Sequence, residues 1–266
     1  MSAASRSIDE LLALMAQLRD PQRGCPWDRA QDFSTIAPFT IEEAYEVAEA
    51  IAQGSAVQLR DELGDLLFQV VFHSQLAAER GWFDFAAVTA GIHDKLVRRH
   101  PHVFAEGETR SDGDDFNLAA AWEAHKAAER AAGGAHGALA DVPLALPALA
   151  RAAKLSRRAA RVGFDWADEM AVRPKIAEEL RETEEAVAAA DPEAIEEELG
   201  DVLFALVNWA RQLKVDPEQA LRQANRKFER RFAAMETLIA QRGLEAGELS
   251  PEAWEGLWNE AKKAGL

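Results

Sequence analysis

The sequence contains one cysteine, Cys25, and no run of apolar residues that approaches the ~20 an α-helix needs to cross a bilayer. A single cysteine excludes an intrachain disulfide and is typical of proteins in a reducing compartment. The first six residues lack the apolar core of a signal peptide. We therefore expect a cytoplasmic protein with no membrane partner.

Basic residues are also scarce, with 30 Lys and Arg against 46 Asp and Glu, and the formal charge is −16. This balance argues against nucleic acid as a partner, because carboxylates and backbone phosphates repel each other. It does not exclude a nucleotide ligand, since carboxylates that bind a divalent metal become locally cationic.

Strand patterns are missing, and the composition favours helices. No runs of Val, Ile and Thr alternate at period two, whereas Ala, Leu, Glu and Arg dominate. The sequence predicts an all-α protein. Helical spacing and capping residues predict helices at 8–19, 40–53, 56–80, 85–98, 116–131, 144–161, 172–189, 192–213, 217–242 and 251–263. Residues 20–38, with three prolines and a glycine, are predicted to form an ordered loop.

The two halves of the chain resemble each other around a glycine-rich segment, residues 133–138. Glu62-Leu-Gly-Asp65 matches Glu198-Leu-Gly-Asp201, and three further matches occur in the same order. Such an ordered recurrence indicates a duplicated helical unit. We predict tandem helical-bundle domains at 1–132 and 139–266, joined by a linker at 133–138.

Each half carries two acidic pairs at helical spacing. Residues three apart on a helix share a face, and consecutive helices with a short connection pack antiparallel, so four carboxylates can converge. Their repulsion would be relieved by a hard divalent cation, and oxygen ligands favour Mg²⁺ or Mn²⁺. The predicted metal ligands are Glu43, Glu46, Glu62 and Asp65 in the first half, and Glu179, Glu182, Glu198 and Asp201 in the second.

Basic and aromatic residues follow each acidic set. Lys and Arg four apart on a helix suit a polyphosphate, and a tryptophan offers a face for a base. Together with a metal they suggest a nucleoside triphosphate as substrate. The predicted nucleotide contacts are Lys95, Arg99, Trp122 and Lys126 in the first half, and Lys227, Arg231, Trp258 and Lys262 in the second.

Two other interpretations fit the same residues. Isolated acidic pairs on helices are usually solvated surfaces, so the chain could be a helical scaffold. The same sites could also sense nucleotides or an alarmone without hydrolysing them. The ordered recurrence of all the motifs favours an enzyme over both.

The ordered motifs of this sequence closely resemble those of the MazG family of tandem-domain nucleoside triphosphate pyrophosphohydrolases over about residues 8–264. The resemblance is carried by Leu18-Arg-Asp-Pro-Gln-Arg-Gly-Cys-Pro-Trp-Asp28, Glu42-Glu43-x-x-Glu46, Glu62-Leu-Gly-Asp65-Leu-Leu-Phe-Gln-Val-Val-Phe72 and Arg98-Arg-His-Pro-His-Val-Phe104. It implies all-α domains, an intertwined homodimer, and Mg²⁺-dependent hydrolysis of NTPs and dNTPs, ATP included, to the monophosphate and pyrophosphate. It also implies a house-cleaning role against unwanted nucleotides.

The two halves are not expected to be equally active. Asp65 lies thirty positions before Lys95, whereas Asp201 lies twenty-six before Lys227. An extra turn of helix could move the first basic pair away from its carboxylates, so we expect catalysis in the second half, with Glu179, Glu182, Glu198 and Asp201. Glu178, or Glu42 in the first half, could orient or deprotonate the attacking water.

Overall fold

The computed structural model describes residues 7–104 and 137–265, and these residues contain helices and no strand. The predicted all-α class is confirmed. The chain divides into two compact units whose division falls within the undescribed segment. The predicted helix at 116–131 and most of the predicted linker lie outside the described residues, so the domain boundaries stay predictions.

The first unit is built around a helical hairpin. Helices α3 and α4 are joined by Gly54 and Ser55 and pack closely along their length, and α1 packs on α4. Its core contains Met15, Phe72 and their buried neighbours. The helices of this unit are α1 (Ile8–Leu18), α2 (Pro26–Ala30), α3 (Phe33–Gln53), α4 (Ala56–Glu79), α5 (Phe85–Arg99) and α6 (Pro101–Phe104).

The predicted loop at 20–38 is partly wrong. Residues 26–30 form α2, and α3 begins at Phe33 rather than near residue 40. The cause is Asp32, whose carboxylate accepts the backbone N–H groups of Ser34 at 2.8 Å and Thr35 at 3.0 Å and so starts the helix early. Pro38 lies inside α3, as the sixth residue of the helix. Its φ is compatible with a helix, but it removes one backbone hydrogen bond and crowds the carbonyl four residues earlier.

The second unit contains a matching hairpin. Helices α8 and α9 pack most extensively, α7 lies against α9 and α10, and α10 packs on α11 around Met235 and Leu257. Asp191, Asp216 and Ser250 cap the helices that follow them, as predicted. The helices are α7 (Ala148–Arg161), α8 (Glu169–Ala189), α9 (Pro192–Gln212), α10 (Pro217–Arg242) and α11 (Pro251–Lys263), with a 3₁₀ turn at Ala246–Glu248.

Among the described residues, no helix combines the length and the apolarity that a membrane span requires.

Candidate metal and nucleotide site

The α3–α4 hairpin brings the carboxylates of the first unit together. Glu43, Glu62 and Asp65 each place one carboxylate oxygen within 4.8 Å of the others. Glu46 lies beside them, since its charge acts on both Glu43 and Glu62. We call these four residues the first acidic cluster.

The first acidic cluster is electrostatically strained without a cation. Burial, followed by the charges of Asp65 and Glu46, raises the pKa of Glu43 above its ordinary value. Burial and the charge of Glu46 likewise raise the pKa of Glu62. Oε2 of Glu43 is buried and has no hydrogen-bond partner. A buried carboxylate oxygen without a partner is costly, and a divalent metal would satisfy it.

The α8–α9 hairpin repeats the arrangement. Glu179, Glu182 and Glu198 each place one oxygen within 4.8 Å of the others, and Glu179 is buried. Asp201 lies close enough for its charge to act on Glu198. Burial, followed by the charges of Glu182 and Glu179, raises the pKa of Glu198. These four residues form the second acidic cluster.

Lysine 175 distinguishes the second acidic cluster from the first. Its Nζ lies 2.7 Å from Glu179 and 2.9 Å from Glu178. The hydrogen bonds to Glu179 and Glu178 raise the pKa of Lys175, so it stays charged. Sequence reasoning missed this residue, although its spacing of four from Glu179 was a sufficient signal. Glu178, the candidate for orienting water, is exposed and paired with the same lysine.

A basic and aromatic group lies on the α10–α11 pair. The guanidinium of Arg231 lies 5.3 Å from the centre of the Trp258 ring, and Phe228 packs on the same ring at 5.6 Å. Lys227 is exposed one turn before Arg231, and Lys262 is exposed in the last turn of α11. Arg231 and Trp258 are thus brought together as one cationic and aromatic surface.

The corresponding group of the first unit is described only in part. Lys95 and Arg99 lie in the second half of α5, both partly exposed. Trp122 and Lys126 lie outside the described residues.

Glycines 64 and 200 lie in the middle of the hairpin helices, each between two residues of an acidic cluster. A Cβ added at either glycine would meet no atom within 4 Å. Close packing inside the chain therefore does not explain these residues, and open space lies beside both clusters.

Comparisons with known proteins agree with this geometry. A family model described as "MazG nucleotide pyrophosphohydrolase domain" matches the chain twice, at residues 31–104 and 168–234, and each match contains one acidic cluster. A protein named nucleoside triphosphate pyrophosphohydrolase from Escherichia coli K12 is 50% identical over 96% of this chain and 97% of its own length.

Two further relatives extend the comparison. A protein from Thermotoga maritima named nucleoside triphosphate pyrophosphohydrolase/pyrophosphatase MazG is 44% identical over 98% of both chains. A nucleoside triphosphate pyrophosphohydrolase from Mycobacterium tuberculosis is 38% identical over 61% of this chain and 48% of its own length. With two domain matches and full-length similarity to named members, this chain belongs to the MazG family.

Proposed function

We propose that this chain hydrolyses nucleoside triphosphates, NTPs and dNTPs alike, to the monophosphate and pyrophosphate, and that it depends on Mg²⁺, with Mn²⁺ as a substitute. The observation that carries the proposal is the convergence of carboxylates in two equivalent hairpins. The relatives' names supply the reaction, and the oxygen-only set of ligands supports the choice of ion.

The residues fit a divalent metal. Glu43, Glu46, Glu62 and Asp65 would hold it in the first unit, and Glu179, Glu182, Glu198 and Asp201 in the second. The unpartnered oxygen of Glu43, the raised pKa of Glu198 and the open space beside both glycines support this assignment. When bound, the metal would lower the pKa of a coordinated water and neutralise charge on the triphosphate.

The chain's own residues would hold the substrate and move the proton. Lys227 and Arg231 bind the phosphates and stabilise the charge of the leaving pyrophosphate, while Trp258 and Lys262 contact the nucleotide. Water forms a bond to the α-phosphorus as the bond from that phosphorus to the bridging oxygen breaks. The carboxylate of Glu178 accepts the proton of the water; Glu42 holds the matching position in the first unit.

We place the main activity in the second unit. It combines an acidic cluster with a cationic and aromatic surface in which Arg231 contacts Trp258. In a house-cleaning enzyme this site would remove unwanted nucleotides from the cytoplasm.

We also propose a homodimer. Each hairpin exposes an apolar stripe at matching positions: Leu63, Leu67 and Val70 on α4, and Leu199, Leu203 and Leu206 on α9, each residue between 38% and 50% exposed. Residues at this spacing share one face of a helix, and burying such a face against a second copy is favourable. Analytical ultracentrifugation should give a dimer, and Leu67→Glu with Leu203→Glu should shift it toward the monomer.

The test of the activity is pyrophosphate release by the full chain, assayed with a panel of NTPs and dNTPs. Wild type should release pyrophosphate with Mg²⁺ and stop when EDTA is added. A chain carrying Asp65→Asn and Asp201→Asn should fold, judged by circular dichroism, and release none. Full activity in that variant would refute the metal assignment. Nucleotide binding without pyrophosphate release would favour a sensor.

A further inference from the structure

Two buried oxygen atoms of the first hairpin lack a hydrogen-bond partner. Among the side chains that the structure describes, the buried oxygens in this condition are Oε2 of Glu43 on α3 and Oε1 of Gln69 on α4. Glu43 belongs to the first acidic cluster, whereas Gln69 has no part in the site described above. A buried oxygen without a partner costs about 1–3 kcal/mol, so the position of Gln69 calls for a hydrogen-bond donor.

Gln69 lies on the helix face that carries the first acidic cluster. It is a polar residue with only 5% of its surface exposed. It follows Asp65 by four positions on α4, which places the two residues on one face, about 6 Å apart along the helix axis. The side chain of a helical residue lies over the turn that precedes its own Cα. For Gln69 that turn carries Asp65, so the side chain extends toward the cluster.

The pairing of α3 with α4 places Gln69 opposite Glu43. One turn further along α4, Nε2 of His73 lies 2.9 Å from Oγ1 of Thr40 on α3. The two helices form an antiparallel hairpin, so one turn back along α4 corresponds to one turn forward along α3. These steps lead from His73 to Gln69 and from Thr40 to Glu43. The two oxygens without a partner therefore lie at the same level of the hairpin.

These two oxygens cannot satisfy each other. The ionised carboxylate of Glu43 and the amide oxygen of Gln69 are both acceptors. A hydrated cation supplies what each of them lacks, because Glu43 can bind the ion and Gln69 can accept a hydrogen bond from a water on it. The amide oxygen carries no net charge, so it adds an acceptor without adding to the repulsion among the four carboxylates.

The second unit has no equivalent oxygen. The residue at the position of Gln69 is Ala205, which is also buried. The polar pair one turn further on is replaced by Ile176 and Trp209. None of these three side chains contains an oxygen atom, although the carboxylates of the two clusters are the same. The additional acceptor is therefore a feature of the first unit and not of the hairpin fold.

We propose that Gln69 is an outer ligand of the divalent cation at the first acidic cluster: its amide oxygen accepts a hydrogen bond from a water that the cation coordinates. The inference rests on the proposed function, because it takes the metal assignment as its starting point. Mg²⁺ keeps several of its waters when it binds to proteins, and outer partners orient the inner ligands. Gln69 is thus a positioning residue that helps the first unit to hold its cation without a nucleotide.

The test measures metal affinity and not turnover. Full-length chains carry Glu198→Gln and Asp201→Asn to silence the second cluster, and free Mn²⁺ is followed by electron paramagnetic resonance during a titration without nucleotide. Gln69→Leu should weaken Mn²⁺ binding about 10- to 100-fold, the usual cost of losing an outer partner of a metal ligand. Gln69→Met keeps the length of the side chain and loses the amide, so it should give the same loss where the branched leucine does not fit.

Gln75→Leu is the matched control. It makes the same chemical change on α4, ten residues after Asp65, where Nε2 of Gln75 donates to Oε1 of Glu79 at 3.1 Å. This variant removes an amide that is too far from the first acidic cluster to reach its cation. Its Mn²⁺ affinity should stay within twofold of the parent.

Thermal melts in EDTA separate a role in metal binding from a role in packing. Gln69→Leu removes an unsatisfied buried oxygen, so it should leave the melting temperature of the metal-free chain unchanged or raise it. A fall in both Gln69 variants would show that the amide has a partner inside the protein and would overturn the inference. Mn²⁺ affinity within twofold of the parent in both variants would also overturn it. A parent that binds no Mn²⁺ at the first cluster would instead refute the proposed metal assignment.

Discussion

The two acidic clusters share one backbone frame and differ in the side chain beside them. Asp32 and Asp168 cap the first hairpin helix of each unit, and Pro38 and Pro174 follow six residues later in both. The next position is Phe39 in the first unit, in edge contact with Trp27, and Lys175 in the second, paired with Glu179. Two hairpins with the same backbone arrangement therefore hold their carboxylates, the second with a lysine beside them and the first without one.

This difference shows how a duplicated site can diverge without a change in its ligands. In the first cluster the carboxylates repel each other, and Oε2 of Glu43 has no partner, so a bound cation relieves strain directly. In the second, a cation from solvent must first replace Lys175 at Glu179. We expect tighter metal binding at the first cluster and catalysis at the second.

The largest expected effect separates the two clusters by activity. Asp201→Asn should lower kcat for pyrophosphate release at least about 100-fold, because losing one metal ligand removes several kcal/mol of charge stabilisation. Asp65→Asn, the matched change in the first unit, should leave most of the activity. Steady-state assays of pyrophosphate release by both full-length variants measure which cluster is required for activity. The reverse ranking would move the active site to the first unit.

A smaller effect tests the role of Lys175. Lys175→Met should strengthen Mn²⁺ binding at the second cluster about two- to fivefold, and Phe39→Lys should weaken it at the first by a similar factor, since partly exposed ion pairs are worth about 0.2–1 kcal/mol. Titration calorimetry without nucleotide measures both. Arg173→Met removes the same charge from the exposed side of α8 and is the control. Equal responses to Lys175→Met and Arg173→Met would mean that only net charge matters.

The smallest effect concerns stability in the absence of metal. The folded-state pKa of Glu62 is raised above its ordinary 4.5, so its ionisation destabilises the fold, and the penalty appears as pH rises through the raised pKa. Glu62→Gln should raise the melting temperature of the metal-free chain at pH 7 by a small amount and leave it unchanged near pH 4. Thermal melts in EDTA at both pH values measure this.

An exposed carboxylate supplies the control for that melt. Glu236→Gln on α10 changes an exposed carboxylate that belongs to neither cluster, and it should shift neither melt. A stabilisation by Glu62→Gln that persists at pH 4 would contradict the electrostatic cause.

The sequence predicted the helices best where capping residues and proline coincide. Asp191-Pro192, Asp216-Pro217 and Ser250-Pro251 each mark a helix start in the structure. The predicted start of α3, at residue 40, is too late because the prediction treats Pro38 as the end of a loop, whereas Pro38 lies inside the helix. The second unit indicates the correct start of this helix, because Pro174, at the position equivalent to Pro38, lies within the predicted helix at 172–189. Both prolines are inside helices in the structure.

Convergence of the carboxylates was also predictable, since it needs only helical spacing and a short connection. The ion pair of Lys175 was predictable as well, because Lys175 lies four residues before Glu179 on one helix. An apolar cavity of about 220 Å³ between α7, α9 and the segment that carries Phe164 and Trp166 was not predictable from the sequence. It depends on how these two side chains pack against α9 and on the volume left where the second unit has Asn208 and the first has Phe72. Such a volume is a property of packing among several elements, not of a local pattern.

The most direct test is a crystal structure of the full chain grown with Mn²⁺ and analysed by anomalous scattering. We predict manganese peaks within about 2.0–2.3 Å of carboxylate oxygens from both helices of each hairpin, including Glu43 with Glu62 and Glu179 with Glu198. Manganese bound elsewhere, with these carboxylates turned into solvent in both units, would contradict it.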